Sequence, residues 1–211
     1  MASTLPAIER AALAAALAHK PGTTPLELQQ LDELTRTDPD VRVRAVALGA
    51  LVQVAPARRA AATWRVAARD PDATVRRRAA ELAPSLRAAV PTQALITLLV
   101  DEEPLVAEAA AFALGEHPRA GPRVIAALER AATEHADPLV REAAVAALGA
   151  RGEPSTLPVV LRACDDKPAV RRRAVLALAA FEGEAVEARL RSALTDRDWQ
   201  VRQAAEDLLR N

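Results

Sequence analysis

The stretch Asp137–Gly149, "DPLVREAAVAALG", holds the pattern from which the rest of the chain can be read. An aspartate at the head of a helix accepts backbone N–H groups that have no helical partner. Proline is well tolerated at the first helical position, where its missing N–H costs nothing. Val140 and Ala144 stand at i and i+4 and so share one helix face, which Leu148 continues one turn on. The stretch is therefore a short amphipathic helix with its own start signal. It recurs.

Near-copies begin at Asp38 ("DPDVRVRAVALG"), Asp72 ("DATVRRRAAELA"), Glu103 ("EPLVAEAAAFALG"), Lys167 ("KPAVRRRAVLALA") and Asp198 ("DWQVRQAAEDLL"). Aligned on Val41, Val75, Val106, Val140, Val170 and Val201, they are spaced by 34, 31, 34, 30 and 31 residues. A fixed period of this size is the mark of a stacked repeat architecture. An alanine follows each valine by four: Ala45, Ala79, Ala110, Ala144, Ala174 and Ala205. This predicts a position where another helix crosses too closely for a larger side chain. Leu48, Leu82, Leu114, Leu148, Leu178 and Leu208 or Leu209 extend the apolar seam.

Second amphipathic stretches lie between these helices, at Pro25–Thr35, Ala57–Ala68, Thr92–Val100, Pro122–Glu134, Thr156–Ala163 and Glu184–Leu194. The first opens with Thr24 and Glu27 in a capping-box spacing. Each unit is thus a helical hairpin. A further helix from about Leu5 to Ala18 is expected to cover the first pair. The expected organisation is a capping segment over 1–23 and a repeat array over 24–211, divided at about 24–55, 56–90, 91–118, 119–152, 153–182 and 183–211. The residue five after the valine is apolar in five copies and Glu206 in the last. A solenoid repeat buries its apolar face on its neighbours, so the array is expected to end with the chain.

The pattern resembles the HEAT-repeat family, in particular its short repeats, which are similar to those of phycobilisome lyase-type proteins. The resemblance rests on the Asp-Pro-x-Val-Arg opening, the alanine and the Leu-Gly close. It implies an all-α solenoid, a right-handed superhelix of about six hairpins with the Val-Arg helices on the concave side. It also implies that Arg42, Arg76, Arg141, Arg171 and Arg202 pair with loop aspartates of neighbouring repeats as a structural ladder. Repeat three carries Ala107 instead and should interrupt it.

Composition narrows the function. The 211 residues carry 28 basic and 28 acidic side chains, two Phe, two Trp and no Tyr. Basic residues are almost all arginine, which with the alanine richness suggests a GC-rich bacterial genome. The one cysteine, Cys164, cannot form an internal disulfide and fits a reducing cytoplasm. "AALAAALA" near the start is too short to span a membrane and too amphipathic for a signal peptide. His19, His117 and His135 are scattered without metal-ligand spacing. The repeated His-Glu dipeptides of HEAT-like di-iron hydroxylases are absent: only Glu116–His117 and Glu134–His135 occur, in reverse order. No phosphate loop or nucleophile elbow is present. No catalytic, metal or cofactor residue is therefore assigned, and an enzyme is not expected.

A binding surface is expected on the side of the Val-Arg helices away from the seam. It collects Arg44, Arg77, Arg78, Glu108, Phe112, Glu142, Arg172, Arg173 and Leu176: two basic zones with an acidic, partly apolar middle. Residues 1–100 hold 13 basic and 9 acidic side chains, residues 101–211 hold 15 and 19. Apolar anchors inside a charged rim suit a protein partner, so a protein-binding scaffold or regulatory subunit is the leading expectation. The alternative is nucleic-acid binding in the manner of HEAT-like alkylpurine DNA glycosylases. Zero net charge and the lack of stacking aromatics argue against it. A chromophore-lyase-type auxiliary role follows from the resemblance alone.

Overall fold

The computed structural model describes residues 5–119 and 121–210, and every described element is helical. Residues 1–4, 120 and 211 of the expected segments lie outside the described residues. The chain divides into two compact units, one up to Leu98 and one from Leu99 on. The division falls inside the third expected hairpin.

Unit one holds α1 (Ala7–Ala18), α2 (Pro25–Thr37), α3 (Val41–Val54), α4 (Ala57–Ala67), α5 (Ala73–Leu86) and α6 (Thr92–Leu98). α1, α3 and α5 stack side by side, and α2 and α4 form a second layer behind them. Unit two holds α7 (Pro104–Glu116), α8 (Pro122–Glu134), α9 (Pro138–Arg151), α10 (Leu157–Ala163), α11 (Pro168–Ala177), α12 (Glu184–Ala193) and α13 (Trp199–Arg210). Here α7, α9, α11 and α13 form the stack, backed by α8, α10 and α12.

The helix starts follow from their caps. Asp72 and Asp137 accept the N–H two residues on, those of Thr74 and Leu139, and Thr24 with Glu27 forms a full capping box. Lys20 also reaches Glu27, and together these donors hold the Glu27 carboxyl down to about 2. Pro104, Pro138 and Pro168 occupy first-turn positions. The seam alanines Ala79, Ala110, Ala144, Ala174 and Ala205 and the valines beside them are fully buried. The largest buried side chain, Trp64 on α4, donates its indole N–H to the Ala79 carbonyl at 2.6 Å.

The first repeat departs from its expected register. Asp40, not Asp38, caps α3, accepting from Arg42 N–H at 2.8 Å. Val43 rather than Val41 is the buried anchor, and Ala47 rather than Ala45 is the fully buried alanine. The repeated Val-Arg of "VRVRAV" allows both alignments, and the cap at three residues before the valine chooses the second. The anchor spacing from Val43 to Val75 is then 32 residues. Leu82 and Leu208 are only half-buried and Leu209 is exposed, whereas Leu51 joins the seam.

Candidate functional site

The side chains that join neighbouring repeats must be separated from those that are free to bind. In the loops before α3, α5, α7 and α13 an aspartate stands five residues ahead of the buried valine. Its carboxylate accepts the N–H two residues on, as Asp38 does from Asp40, Asp70 from Asp72, Asp101 from Glu103 and Asp196 from Asp198. Asp38, Asp70 and Asp196, and with them Asp166, receive forked arginines from the preceding stacked helix. Arg10 bonds Asp38 and Arg44 bonds Asp70 in unit one; Arg141 bonds Asp166 and Arg171 bonds Asp196 in unit two, all at 2.7–2.9 Å. Each of these arginines also donates Nη1 to a backbone carbonyl; for the last three it belongs to the loop ahead of their own helix. Bidentate guanidinium–carboxylate geometry is the strongest form of such a pair. The guanidinium holds the carboxyl of Asp38, Asp166 and Asp196 below the usual aspartate range.

Two expected roles change as a result. Arg44, expected on the binding surface, is a fastener, because the two-residue register shift puts it directly after the buried valine. Arg42, expected in the ladder, instead turns to its own cap Asp40 with its side chain 77% exposed. Arg76 donates to the Asp70 and Pro71 carbonyls and Arg202 to the Asp196 carbonyl.

Repeat three is fastened differently. Ala107 replaces the arginine of α7, and His135 stands where the next loop would carry its acid. His135 Nδ1 still accepts the Asp137 N–H at 3.1 Å, so the turn is kept while the arginine's partner is gone. The link moves to the opposite end of the helix. Arg151, at the end of α9, donates to the carbonyls of Leu114, Gly115 and His117 at the end of α7, at 2.7–3.0 Å. Burial lowers the Arg151 pKa. The other copies carry no arginine there, so the repeat pattern contained no signal for it.

The remaining residues form two unlike faces. On unit one, Arg77 and Arg78 both bond Glu81, at 2.8 and 3.3 Å, one turn along their own helix. Arg78 lies over Gly49 beside a hollow of about 510 Å³ that Ala45, Val46, Leu82 and His19 also line. On unit two, Glu108, Phe112 and Glu116 of α7, Leu139, Glu142 and Ala146 of α9, and Arg173 of α11 line a hollow of about 360 Å³. Phe112 is 59% exposed, and Leu176 belongs to an adjoining hollow that Arg173, Ala146 and Ala150 share. The floor is shallow because α7, α9 and α11 approach closely. A Cβ on Gly115 would lie 3.1 Å from Ala147 Cα, and one on Gly149 would lie 2.6 Å from Ala177 Cβ. Arg173 reaches Glu142 at 3.5 Å, while the Nε atoms of Arg172 and Arg173 are buried without a partner. Cys164 is buried, and burial pushes its thiol pKa up, as suits a packed residue. Among the described residues no group of three or more His, Cys, Asp or Glu side chains is placed to hold a metal. Nor is any described helix long and apolar enough to cross a membrane.

Hairpins stacked in two layers and fastened by loop acids define a helical-repeat solenoid. Residues 61–148, 92–169 and 125–210 match the family model for HEAT repeats, and the chain belongs to that family. No protein of curated function matches it in sequence. Among solved structures it is similar to YibA of E. coli, with TM-score 0.69 and 20% identity over 94% of this chain and 74% of that one. It is similar to a chain of the S. pombe condensin Cnd3–Cnd2 subcomplex, with TM-score 0.69 and 16% identity, covering 95% of this chain and 32% of that one. It is also similar to a designed armadillo repeat protein in complex with the peptide (KR)4, with TM-score 0.58 and 17% identity over 87% of this chain and 98% of that one. At such identities the likeness concerns the fold.

Proposed function

We propose that this protein is a non-enzymatic, cytoplasmic scaffold or regulatory subunit that docks a segment of another protein on the α7–α9–α11 face of unit two. The observation that carries the reading is Phe112. A phenylalanine more than half exposed, above a floor of alanine and glycine and sharing its hollow with a second apolar residue, Leu139, while Leu176 lines the adjoining one, is an anchor without a cover. Large apolar groups surrounded by charge are where binding energy concentrates at protein interfaces. Support comes also from relatives of the same fold, one within a two-protein subcomplex and one with a bound peptide. Duplex DNA would need a row of unpaired cations. On unit one Arg44 is engaged with Asp70, and Arg77 and Arg78 share Glu81; unit two presents Glu108, Glu116 and Glu142.

The test is selection of a displayed random-peptide library on the wild-type protein, followed by binding of the survivors to Phe112→Ser/Leu176→Ser. Both side chains are exposed, so the variant should unfold within a few degrees of the wild type. Survivors that lose about tenfold or more in affinity support docking on this face. Survivors that bind both forms alike overturn it.

A further inference from the structure

We propose that the hollow between α7 and α9 selects a cationic-apolar segment, in which a lysine or arginine lies beside a large apolar side chain. This rests on the docking reading above and adds the chemistry of the partner. The apolar component is dictated by Phe112 and Leu139 over their small-residue floor. The cationic component follows from charge. Residues 99–211 hold 15 basic and 19 acidic side chains, and three of those acids, Glu108, Glu116 and Glu142, line this one hollow. Glu108 is half-buried and makes no hydrogen bond or ion pair among the described residues. A partly shielded carboxylate with no partner of its own, one of three acids in one hollow, favours whichever ligand supplies a cation, and like charges exclude an acidic one.

Arg173 sharpens the argument. It is the only cation among the residues lining the hollow, and it sits in the wall shared with the Leu176 hollow. Its contact with Glu142 at 3.5 Å is far longer than the ~2.7–2.9 Å of a well-formed charge-assisted bond. Arg173 thus acts as a weak internal competitor. An incoming cation takes over Glu142, and the arginine is released along the groove. Removing a competitor must strengthen binding, whereas removing the carboxylates must weaken it. That pair of opposite signs separates selection by this hollow from general stickiness.

The test uses three short fluorescent peptides of equal length, pairing lysine with leucine, glutamate with leucine, and lysine with serine, titrated at one moderate salt concentration. The lysine–leucine peptide is expected to bind the wild type about tenfold more tightly than either control. Glu108→Gln/Glu142→Gln should weaken it about tenfold, and Arg173→Gln should tighten it about threefold. All three positions are partly exposed, and circular dichroism checks that the variants fold. Equal binding of the lysine–serine peptide would reduce the effect to bulk charge and overturn the proposal. Tighter binding of the glutamate–leucine peptide, lost in Phe112→Ser/Leu176→Ser, would overturn the cationic preference and leave the docking face standing. Lysine–leucine binding indifferent to that double variant would overturn both.

Discussion

The stacked helices of the two units are built from the same repeat yet present opposite surfaces. In unit one the arginines expected to form the binding face are already engaged: Arg44 with Asp70, and Arg77 and Arg78 with Glu81. In unit two the α7–α9–α11 face carries an unpaired, half-buried glutamate, a bare phenylalanine and an arginine at arm's length from its partner. The difference lies in repeat three, where Ala107 and His135 replace both halves of the usual ladder pair and Arg151 fastens α7 and α9 from the other end. Unit one shows what the repeat does when its charges serve stability. Unit two shows what appears when one junction is fastened elsewhere and its face carries Glu108 and Phe112.

The largest expected effect breaks this substituted fastener. Arg151→Ala removes the donor to three carbonyls at the end of α7 and should destabilise the protein by about 2–3 kcal/mol, read by urea unfolding. A cost below ~0.5 kcal/mol would show that packing alone holds the junction. The parallel experiment in unit one compares neighbours. Arg44→Ala leaves the nearly buried Asp70 carboxylate unpaired and should cost about 2 kcal/mol. Arg42→Ala should leave the unfolding midpoint unchanged. Equal effects would undo the register assigned to repeat one.

Glycine sharpens the same contrast with a change of sign. Gly149→Ala drives a methyl against the Ala177 backbone, 2.9 Å from its Cα, which cannot retreat without parting α9 from α11. The expected loss is about 1–2 kcal/mol, overpacking outweighing the ~1 kcal/mol that alanine gains in a helix. Gly49→Ala meets only the guanidinium end of Arg78, a flexible group that can swing away. Stability should rise by up to ~1 kcal/mol. Thermal unfolding of the two variants decides it.

These glycines also mark where the sequence was legible and where it misled. The hairpins, the outer helices and most caps could be read from the chain because apolar spacing, aspartate and proline are local signals. The shared Leu-Gly close was misleading. Gly115 and Gly149 stand nine residues after their valines, but Gly49 stands six after Val43, its true anchor, so it resembles them only when repeat one is misaligned. The ladder's existence followed from the family resemblance, but its membership depends on register, and a shift of two residues exchanged Arg42 for Arg44. Arg10 lies outside the repeat, and Arg151 answers a local loss at Ala107 and His135; periodicity had no means of finding either. Of the surface residues, Glu108, Phe112, Glu142, Arg173 and Leu176 share one face. Which arginines were already paired could only be read from three-dimensional geometry.

Acid should loosen the ladder. The carboxyls of Asp38, Asp166 and Asp196 titrate below their ordinary value when folded, so the unfolded chain takes up protons first as pH falls. Their contribution is complete above the unfolded value of about 3.9 and is lost as pH falls through the lower folded values. The melting temperature of the wild type should therefore drop steeply below that point. Asp196→Asn should start lower and fall less over the same interval. Parallel curves would mean that Asp196 titrates alike in both states.

The smallest effect is expected where sequence alone placed most charge. Arg77→Glu reverses a cation on unit one whose side chain is 44% exposed, and a simple electrostatic view of a basic groove would predict a large change in binding. Arg77 is already neutralised by Glu81 at 2.8 Å, and an exposed intrahelical pair of this kind contributes well under 1 kcal/mol. The lysine–leucine peptide should accordingly bind Arg77→Glu within about twofold of the wild type. A change as large as that of Glu108→Gln/Glu142→Gln would mean that the two faces are read together by one ligand, and the contrast drawn between them would fail.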